Sequence, residues 1–247
     1  MRILVVKNYY DMSRLAAQTI QEVLENVDKP VLGLATGETP IGTYQKLVEQ
    51  CKAGKISFRG VTTVNLDEYV GLGKRDEQSY VHFMHENFFD RTDILERNTN
   101  LPNGKAKDLD KECERYHDLV VSHPQDLQLL GLGSNGHIGF NEPNTPFDSV
   151  THVVELSQST IRDNARFFPH PSAVPTSAIT MGISEIMQAK KILVLANGSH
   201  KADAVYEMVY GEIRESCPAS VLQRHPDCTL IVDEAAGARL LNVKVKK

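Results

Sequence analysis

Cysteine is scarce in this chain and never paired at short range: Cys51, Cys113, Cys217 and Cys228 lie far apart and form no CxxC motif. That spacing removes the usual zinc and redox signatures and leaves buried or partly exposed thiols as the reading. Long apolar runs are missing too. The N-terminus, MRILVVKNYY, turns polar at Lys7, too early for the apolar stretch of a signal peptide or for a membrane span of about 20 residues. A soluble, cytoplasmic protein with no membrane partner is expected. There is also no basic stripe: 27 Lys and Arg stand against 32 Asp and Glu, and the basic residues are spread along the chain, which argues against nucleic acid as a partner. His82 and His85 share an i, i+3 spacing, but no carboxylate stands at ligand spacing, so no metal is expected there.

What is present is a run of βα units. The 247 residues, 41% of them hydrophobic, suffice for a sizeable core. Short apolar β-branched stretches alternate with longer amphipathic ones: ILVV from Ile3, VLGLA from Val31, VTTVNL from Val61, LQLLGLG from Leu127, THVVEL from Thr151, KILVLAN from Lys191 and CTLIVD from Cys228. Most are apolar on both faces, as strands covered by helices on each side must be. The fold class read from this is α/β, a Rossmann-like and mostly parallel sheet with helices on both faces. Asp11 is a candidate cap for a first helix carrying Leu15, Ile20, Val23, Leu24 and Val27, and Pro40 opens a second. Further helices are expected over 79–89, 109–121 and 200–210. No repeat or linker stands out, so one domain over 1–247 is expected. Three prolines in seven residues break ARFFPHPSAVPTSAITMG (165–182), and the stretch near 157–185 reads either as a lid or as a surface crossover.

Ligands of open parallel sheets sit at the carboxyl ends of the strands, so the loops that follow the strands are read together. ATGETP places hydroxyls and a glycine before a helix start, which suits a small phosphate ester, or is simply a strand-to-helix turn. It lacks the lysine and spacing of a P-loop. NLDEY puts Asp67 behind a buried strand, where a carboxylate in a cleft becomes a stronger base; Asp67 could equally cap a turn. GLGSNGHIGFNEP surrounds His137 with glycines and carries Glu142 five residues on, a pairing that suits acid/base work near neutral pH or a structural histidine in a tight turn. Lys201 in GSHKA and Arg166 in NARFF offer a point charge and a planar fork for phosphate, though each alone is an ordinary surface charge.

Taken together, LATGETP, TVNLDEYVGL, LGLGSNGHIGFNEP, ARFFP, AITMG and GSHKA resemble the isomerase-type glucosamine-6-phosphate deaminases, collinearly from Met1 to about Asp233. LDEYVGL combined with GHIGFNEP is specific, whereas a TGxTP loop also occurs in the related 6-phosphogluconolactonases. The resemblance implies a cofactor-free conversion of α-D-glucosamine 6-phosphate and water into β-D-fructose 6-phosphate and ammonia, within amino-sugar catabolism (N-acetylglucosamine, sialic acid). As a class this is a metal-independent hydrolase of a C–N bond that isomerises aldose to ketose. It further implies that His137 moves the proton that opens the pyranose ring, that Glu142 holds His137, and that Asp67 carries a proton from C2 to C1 through an enolamine. The sugar phosphate, the sole partner implied, would rest on Thr36, Gly37, the backbone of Glu38 and Thr39, Arg166 and Lys201. Two departures stand out. Glu38 replaces a usual glycine or serine and must turn away from a dianion, and Asn135 replaces an Asp found in some relatives beside the histidine, where it can still accept a hydrogen bond.

The stretch after the NEP motif lacks the basic residues of allosteric relatives, so no activation by N-acetylglucosamine 6-phosphate is expected. A monomer is favoured, with a homo-oligomer left open. Two other readings stand beside the deaminase. A 6-phosphogluconolactonase is disfavoured by LDEY and GFNEP. A non-catalytic sugar-phosphate sensor would call for an attached DNA-binding segment, yet strand-like sequence begins at Ile3.

Overall fold

The computed structural model describes residues 1–240, with every side chain among them except those of Ser159, Asp163, Phe167 and Pro171; residues 241–247 of the expected domain lie outside it. In chain order the strands are β1 (Arg2–Val6), β2 (Val31–Leu34), β3 (Thr62–Asn65), β4 (Asp67–Tyr69), β5 (Thr99–Asn100), β6 (Leu127–Gly131), β7 (His152–Glu155), β8 (Ser177–Thr180), β9 (Ile192–Ala196) and β10 (Cys228–Asp233). The α-helices are α1 (Tyr9–Asn26), α2 (Ile41–Lys52), α3 (Tyr80–Asn87), α4 (Leu109–Ser122), α5 (Gln158–Asn164), α6 (Ile183–Ile186) and α7 (Ala202–Tyr210).

Seven strands pair in parallel in the order β1-β10-β9-β6-β2-β3-β5. Their composition explains the arrangement. ILVLA of β9 is buried at every position and LQLLG of β6 at four of five, and such strands are stable only with helices over both faces. From β2 the chain steps outward to β3 and β5, and from β6 it steps the other way to β9 and β10. The order therefore reverses between β2 and β6, which opens a crevice at their carboxyl ends. ATGETP leaves one of those ends and LGSNGHIGFNEP the other.

A second, three-stranded sheet is antiparallel in the order β4-β8-β7. It includes THVVEL, which the sequence reading grouped with the strands of the main sheet. β7 is half-buried rather than enclosed, so a sheet covered on one side accommodates it. The sheet packs on its own aromatic cluster, with Tyr69, Phe140, Leu156 and Ala178 buried. The later part of the stretch near 157–185 is regular structure: Ala178, Ile179 and Thr180 are fully buried and paired with β4, and Ile183–Ile186 form α6. Only the part before Ser177 consists of α5 and short turns.

Two helix starts differ slightly from expectation. Asn8, not Asp11, caps α1: its side-chain oxygen accepts the Asp11 N–H at 3.0 Å, and Asp11 instead places a negative charge in the first turn. Pro40 stands at the cap position of α2, one residue ahead of the first helical turn. Among the described residues no helix is long and apolar enough to cross a membrane.

The junction between the sheets is the part of the fold that matters for chemistry. β3 ends at Asn65, Leu66 donates its N–H to Leu34 O and accepts from Met181 N, and β4 begins at once with Asp67. The fully buried Tyr116 of α4 fixes this corner, its hydroxyl donating to Asn65 O at 2.5 Å. Tyr116→Phe, which strands a buried carbonyl, is expected to cost about 1–2 kcal/mol in urea unfolding without changing the slope of the transition.

Candidate active site

A cavity of about 370 Å³ occupies the crevice, within the range of small-molecule sites. Asp67, His137, Thr36, Gly37, Glu38, Thr39, Arg166 and Lys201 all line it. Eight of the ten residues singled out from sequence thus share one space although they are spread along the chain from Thr36 to Lys201. Asn135 and Glu142 stand behind the wall, against His137.

Asp67 is 6% exposed. Burial, and after it the charge of neighbouring Glu68, push its carboxyl up to about 8. The proton therefore stays on Asp67 until well above the range of an ordinary Asp, and once lost leaves a base far stronger than a solvated carboxylate. The loop carrying His137 is pressed against this corner: Phe140 donates its N–H to Thr180 Oγ1 at 3.1 Å, opposite Asp67 in the β4–β8 ladder.

The glycines around His137 have a steric reason. A Cβ on Gly133 would lie 2.4 Å from the His137 ring, so only glycine lets the imidazole fold back over the loop. The His137 N–H donates to Asn135 Oδ1 at 3.2 Å, and Asn135 Nδ2 donates to Glu142 Oε2 at 2.8 Å. Glu142 Oε2 lies 3.8 Å from His137 Nδ1, an ion-pair distance beyond hydrogen-bond reach. Burial alone would raise Glu142, but the Thr160 hydroxyl, His137, the Asn135 amide and Ser157 together hold its carboxyl below the ordinary value. Thr160 and Ser157 belong to the start of α5, so one carboxylate binds the histidine loop to the segment that walls the cavity.

At the other end of the cavity, Gly37 adopts φ +91°, which favours glycine, and turns the chain from β2 towards α2. The helix end is less open than the sequence suggests: Gly42 N–H is taken by the Tyr9 hydroxyl at 2.8 Å and Ile41 N–H by Glu38 O. Tyr9 also donates to Glu38 O at 3.0 Å, so it braces the loop from α1. Glu38 turns its carboxylate onto Arg166, 2.9 Å away, so two of the residues expected at the phosphate are paired with each other. Thr39 Oγ1 bonds Asn197 at 3.1 Å and thereby joins the loop after β2 to the loop after β9.

Several lining residues escaped the sequence reading: Tyr80, Phe140, Asn164, Asn197 and His200. Tyr80 stacks on Phe140 with ring centroids 5.8 Å apart and shares a hydroxyl contact with Tyr69, which in turn accepts from Asn164 of α5. The position of Tyr80 directly after the capping Ser79 was the available signal, since a residue in the first turn of a helix can point along its axis into a cleft. Away from the cavity, His85 is paired with Asp90 at 2.7 Å. No group of three or more metal-ligating side chains occurs among the described residues.

Residues 9–231 match the family described as glucosamine-6-phosphate isomerases/6-phosphogluconolactonase. A glucosamine-6-phosphate deaminase of Bacillus cereus (strain B4264) is 50% identical over 236 residues, 96% of this chain and 88% of that protein. A solved monomeric glucosamine-6-phosphate deaminase superposes with a TM-score of 0.95 at 45% identity, covering 96% of this chain and 99% of its own. The 6-phosphogluconolactonase of Trypanosoma brucei shares the fold alone, with a TM-score of 0.79 at 20% identity over 97% of this chain and 98% of its own.

Burying Asp67 costs stability in a pH-dependent way. Below about pH 4 its carboxyl is protonated in the folded and unfolded chain alike; between there and about pH 8 the unfolded chain ionises it and the folded chain resists, so stability falls as pH rises. Asp67→Asn is therefore expected to raise the melting temperature at pH 8 by more than about 3 °C, the effect of roughly 1 kcal/mol in a chain of this size. The gain should shrink towards pH 5 in thermal scans, and an equal gain at both pH values would contradict the burial argument.

Proposed function

Because the chain belongs to the glucosamine-6-phosphate isomerases/6-phosphogluconolactonase family, we propose that it is a glucosamine-6-phosphate deaminase, converting that substrate and water into fructose 6-phosphate and ammonia. The observation that carries this reading is that the Asp67 carboxyl and the His137 imidazole open onto one cavity with Arg166 and Lys201. The two ends divide the work. Lys201, Arg166 and the loop from Thr36 to Thr39 hold the phosphate, which leaves the sugar ring between Asp67 and His137.

His137 takes the proton from the anomeric hydroxyl and returns one to the ring oxygen, opening the pyranose to the aldehyde. Its alignment comes from the loop and from Glu142, whose negative charge favours the imidazolium that forms transiently. Asp67 then removes the proton from C2. The C2–H electron pair forms the C1–C2 double bond while the carbonyl oxygen takes a proton from the substrate's own ammonium group, giving an enolamine. Asp67 returns its proton to C1, the C2–N bond becomes a ketimine, and water adds at C2 as ammonia leaves. Carbon-bound protons demand a strong base, and burial makes Asp67 one. Asn135 and Glu142 act through His137, not on the sugar.

The lactonase reading is weaker, since hydrolysis of an ester calls for no base on C2. Purified protein supplied with glucosamine 6-phosphate and no added metal is expected to release ammonia and fructose 6-phosphate in equal amounts. Asp67→Asn should abolish this, by at least about 10³-fold in kcat, while the substrate still protects the protein against thermal unfolding. Turnover of 6-phosphogluconolactone instead would transfer the site to the other branch of the family. As Asp67 must be ionised to act, kcat/KM should rise with pH through the range below about 8.

Regulation is read as simple. The protein acts as a monomer in the cytoplasm, within amino-sugar catabolism, and no effector adjusts it. Rates should follow a hyperbola in substrate, and N-acetylglucosamine 6-phosphate should leave that curve unchanged; a sigmoidal curve made hyperbolic by the acetylated sugar would contradict this.

A further inference from the structure

The mechanism uses only one of two adjacent buried carboxyls. Successive side chains of a strand point to opposite faces, so Asp67 enters the cavity and Glu68 leaves from the other side of β4. Glu68 is 1% exposed. Its Oε1 accepts the N–H of Tyr69 and of Tyr80, and its Oε2 the N–H of Val81, each at 2.9 Å. Tyr80 and Val81 open α3, so the carboxyl group sits on two donors that the helix itself cannot satisfy, at the end of the helix that favours an anion. Gly104 makes room: a Cβ there would meet Tyr69 O at 2.0 Å and Glu68 Cγ at 3.1 Å.

We propose that Glu68 is a positioning residue for the deamination: its clamped carboxylate maintains a negative charge one residue behind Asp67, and that charge keeps Asp67 basic enough to take the proton from C2. The inference rests on the deaminase reading. Burial is the first cause raising both carboxyls; the three N–H donors favour the charged form of Glu68, and its charge raises Asp67 further. Once Glu68 is charged, Asp67 gives up its proton against that charge and holds a returning proton more tightly. The same clamp sets Tyr80 against the cavity, because the residue whose N–H binds Glu68 is the one whose ring lines the site.

Other charges near the pair are accounted for. On the Glu68 side, Asp76 acts with the same sign but is paired with Lys105 at 2.7 Å, and Lys74 is paired with Glu96 at 2.6 Å in the cleft that also contains His85. On the Asp67 side the cavity holds His137, His200, Lys201 and the Arg166–Glu38 pair, together with the hydroxyls of Tyr69, Tyr80 and Tyr116, all three of which burial keeps neutral. None of these replaces the charge of Glu68 directly behind Asp67.

The test is Glu68→Gln, which keeps the size and removes the charge. The carboxyl titration of Asp67 is read by carbon-13 NMR, assigned by its loss in Asp67→Asn, beside the pH profile of kcat/KM. Both the NMR titration and the acid limb are expected to move down by about one pH unit, with kcat on the plateau falling several-fold. Ser79→Ala separates charge from scaffold: it removes the side-chain cap on His82 N–H in the same helical turn, leaves Glu68 ionisable, and should leave the limb in place. An unmoved Asp67 titration in Glu68→Gln, or an equal movement in Ser79→Ala, overturns the proposal. Should Glu68→Gln fail to fold, the wild-type spectrum decides: the Asp67 curve should show two steps, the first at the ionisation of Glu68, and a single step overturns the coupling. A wild type that releases no ammonia refutes the deaminase reading itself, whereas an active wild type lacking the displacement refutes only the role of Glu68.

Discussion

Removing a carboxyl from water penalises its charged form, and at the corner between β3 and β4 this chain does so twice in succession, at Asp67 and Glu68. Everything else about the site is arranged around that penalty. The corner is held rigidly by Tyr116 on Asn65, by the exchange of hydrogen bonds between Leu66, Leu34 and Met181, and by pairing with β8. A softer corner would let Asp67 swing out to water, where it would ionise easily and lose the basicity that removal of a carbon-bound proton requires. Stability is thus given up locally and recovered in the surrounding parallel sheet, whose central strands are enclosed on both faces.

The second constraint is topological. Residues as far apart in sequence as Gly37, His137 and Lys201 converge because the strand order reverses between β2 and β6, and the loops leaving both strands must flank the same crevice. Glycine then decides how close they come. Gly133 lets the His137 ring fold over its own loop, and Gly37 lets the chain turn sharply before α2. The small antiparallel sheet closes the remaining side. Its base is tied to the main body by Glu185, whose fully buried side chain accepts from Thr151, Gly182 N–H and the partly exposed His117.

Six of the seven parallel strands were legible because most are apolar on both faces and four of them run into loops of unusual composition. The short β4, β5 and β8 were not: two to four residues carry no periodicity, and SAIT within a proline-rich stretch looks like more loop. Pairing with β4, a contact distant in sequence, makes it a strand. The same limit applies to the site. Asp67, His137 and the charged residues announced themselves by residue type and place after a strand, whereas Tyr80, Asn164 and Asn197 belong to the cavity only through packing. The place of Glu142 beside His137 was legible in outline, but its separation from the ring and its ties to Thr160 and Ser157 depend on where α5 begins.

Glu38 shows how a residue that looks unsuitable is accommodated. A carboxylate in a loop proposed to hold phosphate would repel a dianion, yet its side chain leaves the loop and reaches Arg166, while the backbone of the loop is shaped independently by Tyr9 and by the positive φ of Gly37. Both partners of the pair are more than half exposed, so the contact contributes only about 0–1 kcal/mol and is screened by salt. On the proposed deaminase reading, a phosphate approaching Arg166 displaces a weak interaction. The guanidinium, already pointed at the loop by Glu38, then exchanges a carboxylate for a doubly charged group with more oxygens to receive its N–H donors.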